Sequence, residues 1–152
     1  CSNPQNSTPT IEENQVGIIK GDDFRSKAMM KFTDAYVNND LNSVSDLFTD
    51  DAKIMVNDAD LTFSEMAAGF SSGHNYFDNI RHEDRDAFTM HYKKGDIAGS
   101  IFTHYWYTWK ATSKKTGEEI SLRGYAWMKW RGDKVEATYN AFDPSLYNAQ
   151  LE

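Results

Sequence analysis

Cysteine is almost missing from this chain. The single one is Cys1, so no internal disulfide can staple the fold. No apolar run approaches the roughly twenty residues that a membrane-crossing helix needs. Basic residues are in deficit: Lys and Arg total 16 against 23 Asp and Glu, and the net charge is -7. A nucleic-acid partner needs a basic footprint, so this balance argues against one. There is no G-x-S-x-G nucleophile motif and no Gly-rich phosphate loop. The four histidines are His74, His82, His91 and His104, and no pair has the tight spacing of a zinc site. His91 alternates with Thr89 and Lys93, which points it to an outer surface. No metal and no cofactor are therefore expected.

What the chain does hold is rings. Aromatic residues make up 14% of 152 residues, a share that suits a core or pocket built on aromatics rather than aliphatics. The length fits one domain that folds without staples. Its first residues, CSNPQNSTPT, are polar and Pro-containing. A Cys leading such a tail resembles the mature end of a bacterial lipoprotein. That resemblance implies a diacylglycerol on Cys1, a tether over residues 1–21, a domain over 22–152 and residence in the bacterial cell envelope. Membrane contact would then run through the Cys1 lipid alone. Intact mass of the native protein checks this expectation: an added lipid mass supports it, and a bare thiol on membrane-free protein removes it.

The remaining pattern orders helices before strands. Asp22 and Asp23 can cap a helix carrying Phe24, Ala28, Phe32, Ala35 and Tyr36 at helical spacing. Leu41, Val44, Leu47 and Phe48 mark a short second helix, and Ala52–Asn57 reads as a strand. Thr62-Phe63-Ser64-Glu65 is a capping box, so a third helix starts at Phe63 and its apolar stripe continues to Ile80. His82–Asp86 then reads as a solvated link. Four strands follow, over Phe88–Lys93, Ile97–Thr112, Glu118–Arg131 and Lys134–Phe142, joined by short Gly- and Asp-rich turns. This layout predicts an α+β fold, with about three N-terminal helices packed on one face of an antiparallel sheet.

Two segments carry a family resemblance. KFTDAYVNNDLNSVSDLFTDDAKIMV resembles the opening of the nuclear-transport-factor-2-like superfamily, in its SnoaL-like branch. LRGYAWMKWRGDKVEATYNAFDP is similar to that branch's last two strands. The match spans about residues 22–145 and implies a cone: a curved antiparallel sheet wrapped by helices, one face lining a pocket and the other often an interface. The ketosteroid isomerases are relatives with known acid–base groups. By this resemblance their helix tyrosine falls at Phe32, their general-base aspartate at Val56 and their second oxyanion donor at Ala126. None of the three can move or donate a proton.

Strand alternation sorts the remaining candidates. One face collects Tyr105, Tyr107, Trp109, Met128, Trp130, Glu136, Thr138, Asn140 and Phe142. The expected ligand-binding set is Tyr36, Met55, Tyr105, Trp109, Met128, Trp130 and Phe142, with Glu136 and Asn140 as its polar members. Glu136 is either a carboxylate made basic by an aromatic pocket or a solvated rim residue beside Lys134. Asn140 either orients a ligand carbonyl or satisfies backbone. The other face collects Phe102, His104, Trp106, Arg123, Tyr125, Trp127 and Lys129, a composition that suits an interface with a second copy or an envelope protein.

The sequence thus predicts an envelope lipoprotein whose cone pocket binds a small apolar or aromatic molecule without transforming it. An isomerase-, hydratase- or cyclase-type enzyme and a structural component of an envelope complex are the competing expectations.

Overall fold

The first helix begins where a carboxylate can satisfy its free N–H groups. In the computed structural model, which describes residues 10–152, Asp23 caps α1 (Phe24–Val37) and accepts from the Ser26 N–H at 2.9 Å. Met29 and Thr33, four apart, form the buried stripe of α1, with Phe32 and Tyr36 beside them. A 3₁₀ turn over Leu41–Leu47 follows and buries Leu41 and Val44. The capping box at Thr62 is present as expected. The Thr62 N–H donates to Glu65 Oε2 at 2.7 Å, the Glu65 N–H donates to Thr62 Oγ1 at 3.2 Å, and α2 runs Phe63–Gly73.

Seven strands form one curved sheet: β1 (Gly17–Lys20), β2 (Phe48–Val56), β3 (Ala59–Leu61), β4 (Phe77–Tyr92), β5 (Ile101–Ser113), β6 (Glu119–Arg131) and β7 (Lys134–Phe142). Their order across the sheet is β1-β4-β5-β6-β7-β2-β3. The helices cover one face, and a core of Met29, Phe48, Ile54, Phe77, Tyr105, Trp109, Met128 and Val135 fills the space between. The expected α+β cone is therefore the fold.

Four details differ from the sequence reading. Residues 17–20 belong to the sheet, because β1 pairs with β4 and Lys94 Nζ holds the Glu12 and Glu13 carbonyls; ordered structure begins before residue 22. The sheet is not wholly antiparallel, since β2 runs parallel to β7. The segment His82–Asp86 is strand rather than link. α2 ends at Gly73, Phe77 opens β4, and two register shifts, near Asn79 (φ 54°) and Asp84 (φ 48°), carry β4 through this polar stretch. A last short helix, α3 (Ser145–Asn148), folds back so that Tyr147 packs on Phe77 and Trp109.

The sheet end under the start of α1 is polar. Thr89 and Thr103 are fully buried, and their hydroxyls meet at 2.9 Å. Thr89 also bonds Asp23 and Ser26, and Trp130 Nε1 donates to Thr103 at 2.9 Å. Burial opposes the Asp23 charge, but hydrogen bonds from Ser26 and Thr89 outweigh it and hold the carboxyl below its ordinary range. His91 lies here, with Nε2 4.0 Å from Asp23 Oδ2. It shares the inward face with the buried Thr89 rather than facing outward, because the start of α1, capped by Asp23, packs on this part of β4.

Candidate functional site

The concave face of the sheet and the helices enclose a cavity of about 260 Å³. α1 supplies Met29, Phe32, Thr33 and Tyr36; α2 supplies Met66 and Phe70; β2 supplies Met55 and Val56. The strands add His82, Tyr105, Tyr107, Trp109, Leu122, Ala126, Met128, Thr138, Asn140 and Phe142, and Tyr147 closes one side. Rings and thioethers make up most of this wall, which suits a flat apolar guest.

The polar groups of the wall are tied to one another. Tyr107 reaches from β5 across Gly124 of β6 and donates to Asn140 Oδ1 of β7 at 2.7 Å. Its ring lies flat on His82, with centroids 4.2 Å apart and planes 5° apart. Trp109 Nε1 donates to the Tyr36 hydroxyl at 2.8 Å. Tyr105, wholly buried, places its hydroxyl 2.9 Å from His82 Nδ1 and 3.2 Å from the donor Arg85 Nε. Arg85 is itself held by Asp34 at 2.8 Å and by Thr33 at 2.7 Å.

Burial sets the protonation of these groups. It lowers the His82 pKa to about 3, with the positive charge of Arg85 adding to the effect. Burial also pushes the Tyr36 and Tyr107 hydroxyls upward, more than their hydrogen bonds to Trp109 and Asn140 bring them down. Near neutral pH the wall therefore carries neutral imidazole and neutral phenols.

A pH dependence follows. The His82 pKa is depressed in the folded state, so its contribution to stability is complete above the unfolded value of about 6.5 and is lost as pH falls toward about 3. Urea titrations from pH 6.5 to 4 should show wild-type stability falling more steeply than that of His82→Phe, by up to about 1.4 kcal/mol per pH unit. Parallel slopes would mean that His82 is not held neutral. His91 and His104 supply a remaining slope in both proteins, since burial lowers their pKa values too.

Of the nine residues expected to bind ligand, seven line the cavity: Tyr36, Met55, Tyr105, Trp109, Met128, Asn140 and Phe142. Trp130 does not. It faces inward, but at the end of the sheet plugged by the start of α1, where it meets Phe24 edge-on at 6.0 Å and bonds Thr103. Glu136 does not either. Lys129 pairs with Ala137 and Trp130 with Val135, which leaves Glu136 as the extra residue of a bulge. The bulge turns it outward between Lys129 (3.0 Å) and Arg131 (2.9 Å), and those two cations hold its carboxyl below the ordinary range. A solvated ion pair of this kind has no basicity to offer a pocket.

The three positions matched to isomerase acid–base groups, Phe32, Val56 and Ala126, all lie on the cavity wall. His82 and Arg85 were hidden in the sequence by their polar neighbours. Tyr107 was visible by alternation alone. The five residues expected at an interface, Phe102, Trp106, Arg123, Tyr125 and Trp127, share the opposite face with Phe88 and His104. There Trp106 packs on Phe88 and Tyr125, with 46% of its surface exposed. Cys1 lies outside the described residues. Among the described residues no group of three or more His, Cys, Asp or Glu could hold a metal ion, and no helix is long and apolar enough to cross a membrane.

No protein-family model matches the chain, and no curated protein matches it by sequence. Solved structures do match its fold. AclR of Streptomyces galilaeus, described as a candidate hydroxylase, aligns over 84% of this chain and 95% of its own, at 15% identity and a TM-score of 0.61. A candidate polyketide cyclase of Xanthomonas campestris aligns over 85% and 98%, at 13% identity and a TM-score of 0.58. A protein of ketosteroid-isomerase-like fold from Catenulispora acidiphila, solved with trimethylamine, aligns over 82% and 91%, at 15% identity and 0.57. The chain thus has the nuclear-transport-factor-2-like fold of the SnoaL-like and ketosteroid-isomerase-like proteins. At these identities the likeness is one of architecture.

Proposed function

We propose that this domain binds a small, flat, apolar molecule in its cone cavity and does not transform it. One observation carries the reading: the cavity is walled by rings and thioethers, and its polar groups already engage one another. A volume of about 260 Å³ suits a guest of one or two fused rings.

The names of the structural neighbours suggest a reaction, but the chemistry within this wall argues for binding. Proton abstraction needs a carboxylate or a free imidazole base. Glu65, at the cavity mouth, is the carboxylate that lines it, and the capping box occupies Oε2. Burial and the Arg85 charge lower the His82 pKa to about 3, which makes it a poor base, and Val56 stands where the isomerases' base would fall. A thermal-shift screen of uncharged mono- and bicyclic aromatics tests the reading. A ligand at a hundred times its Kd should stabilise the fold by about 2.7 kcal/mol. Saturable shifts without product formation support binding. Turnover of any hit, followed by mass spectrometry, would promote an enzyme instead.

A further inference from the structure

We infer that the chain beyond β7 is a gate on the cone cavity, hinged at Asp143-Pro144 and latched by the ring of Tyr147. Its use as a doorway for a guest rests on the proposed binding function. The gate itself is a property of the empty protein.

The sheet ladder stops at Phe142, which pairs with Gly124 and donates its N–H to Asn57 Oδ1 at 3.0 Å. Beyond it the polar attachments end. Asp143 bonds within its own segment, accepting from the Ser145 N–H at 2.9 Å and the Ser145 hydroxyl at 2.6 Å. Pro144 has no N–H to give a ladder. The amides of Asn148, Ala149, Gln150 and Leu151 all donate to carbonyls between Pro144 and Asn148. Among the described residues, no hydrogen bond joins residues 143–152 to the rest of the domain. No residue of α3 is buried, and Leu146 and Leu151 are exposed.

One ring does the holding. Tyr147 packs on Phe77 at 4.9 Å and on Trp109 at 5.9 Å, and it forms a section of the cavity wall. Its hydroxyl fits over Gly73, the last residue of α2, where a Cβ would stand only 2.6 Å from the oxygen. One group opposes closure. Gln150 Oε1 is buried with no hydrogen-bond partner among the described residues, and an acceptor left dry favours any state that returns it to water. A segment with one apolar anchor and no hydrogen bonds to the body opens locally while the fold stays intact. When this one opens, Phe77 and Trp109 lose their cover and the cavity gains a second entrance beside the end of α2.

The test compares two indole protons. Trp109 and Trp130 are equally buried, at 4% and 5% exposed, and their N–H groups donate to Tyr36 at 2.8 Å and to Thr103 at 2.9 Å. Trp109 lies behind Tyr147, whereas Trp130 lies at the sheet end plugged by α1. Hydrogen exchange of both indoles, followed in ¹H–¹⁵N spectra of the full chain at pH 7, therefore separates gate opening from global unfolding. Tyr147→Ala should speed exchange at Trp109 about tenfold or more and leave Trp130 unchanged. Gly73→Ala should act in the same direction without weakening α2, because it crowds the Tyr147 hydroxyl and keeps every ring. Gln150→Met removes the dry acceptor and should slow Trp109 about fivefold. Equal acceleration of both indoles would make Tyr147 a stabilising contact only. Unchanged Trp109 exchange in Gln150→Met would make the wall static. Either result overturns the gate and leaves the binding function standing, while a ligand screen without hits removes the binding function and leaves the gate.

Discussion

Gly124→Ala should destabilise the fold by about 1–3 kcal/mol through overpacking alone. The Tyr107 ring crosses β6 directly over Gly124 on its way from β5 to Asn140 on β7. A Cβ at position 124 would overlap the ring carbon and hydroxyl of Tyr107. The ring would have to leave, breaking a buried hydrogen bond worth about 1 kcal/mol and the stack on His82. Urea denaturation reads the loss. Gly69→Ala is the control of opposite sign: it lies inside α2 with open space around it, so added helix propensity should stabilise by roughly 0.5–1 kcal/mol. Adding Tyr107→Leu to Gly124→Ala removes the overlap and should recover much of the stability. Independent, additive losses would show that the ring does not rest on Gly124.

Ala126→Trp should have the largest effect on function. Ala126 pairs with Tyr105 and Asn140 in the middle of the concave face and lines the cavity. An indole there takes the space of a bicyclic guest, and affinity for any hit should fall about a hundredfold or more. The domain should still fold, with Tm within about 4 °C of wild type, because the indole fills empty apolar volume rather than packed core. Loss of binding with retained Tm places the guest in the cone. Unchanged affinity would place it elsewhere.

How much of this was visible in the chain depends on how regular each strand is. β5, β6 and most of β7 alternate without interruption, so Tyr105, Trp109, Met128, Asn140 and Phe142 could be assigned to one face. One bulge was enough to misplace Glu136. Alternation counts residues, and a bulge spends one without changing face. β4 contains two such irregularities, beside Asn79 and Asp84, within a run dense in charge. Its periodicity is therefore erased, and His82, which lines the cavity, looked like part of a loop. Trp130 failed for a different reason. It has the right face, but the sheet end it occupies is plugged by α1, which alternation cannot report. The parallel β2–β7 pairing joins segments far apart in the chain, so no turn signal announces it.

The claim that the cone is a binding cavity is tested most directly by its methionines. Of the six in the chain, Met29, Met55, Met66 and Met128 line the cavity, while Met30 and Met90 lie outside its wall. In protein carrying ¹³C-labelled methionine methyls, titration with a bicyclic aromatic hit from the thermal-shift screen should shift the four cavity signals together, along one saturable curve, and leave Met30 and Met90 in place. Shifts confined to Met30 or Met90, or no saturable shift at any methyl, would contradict the account.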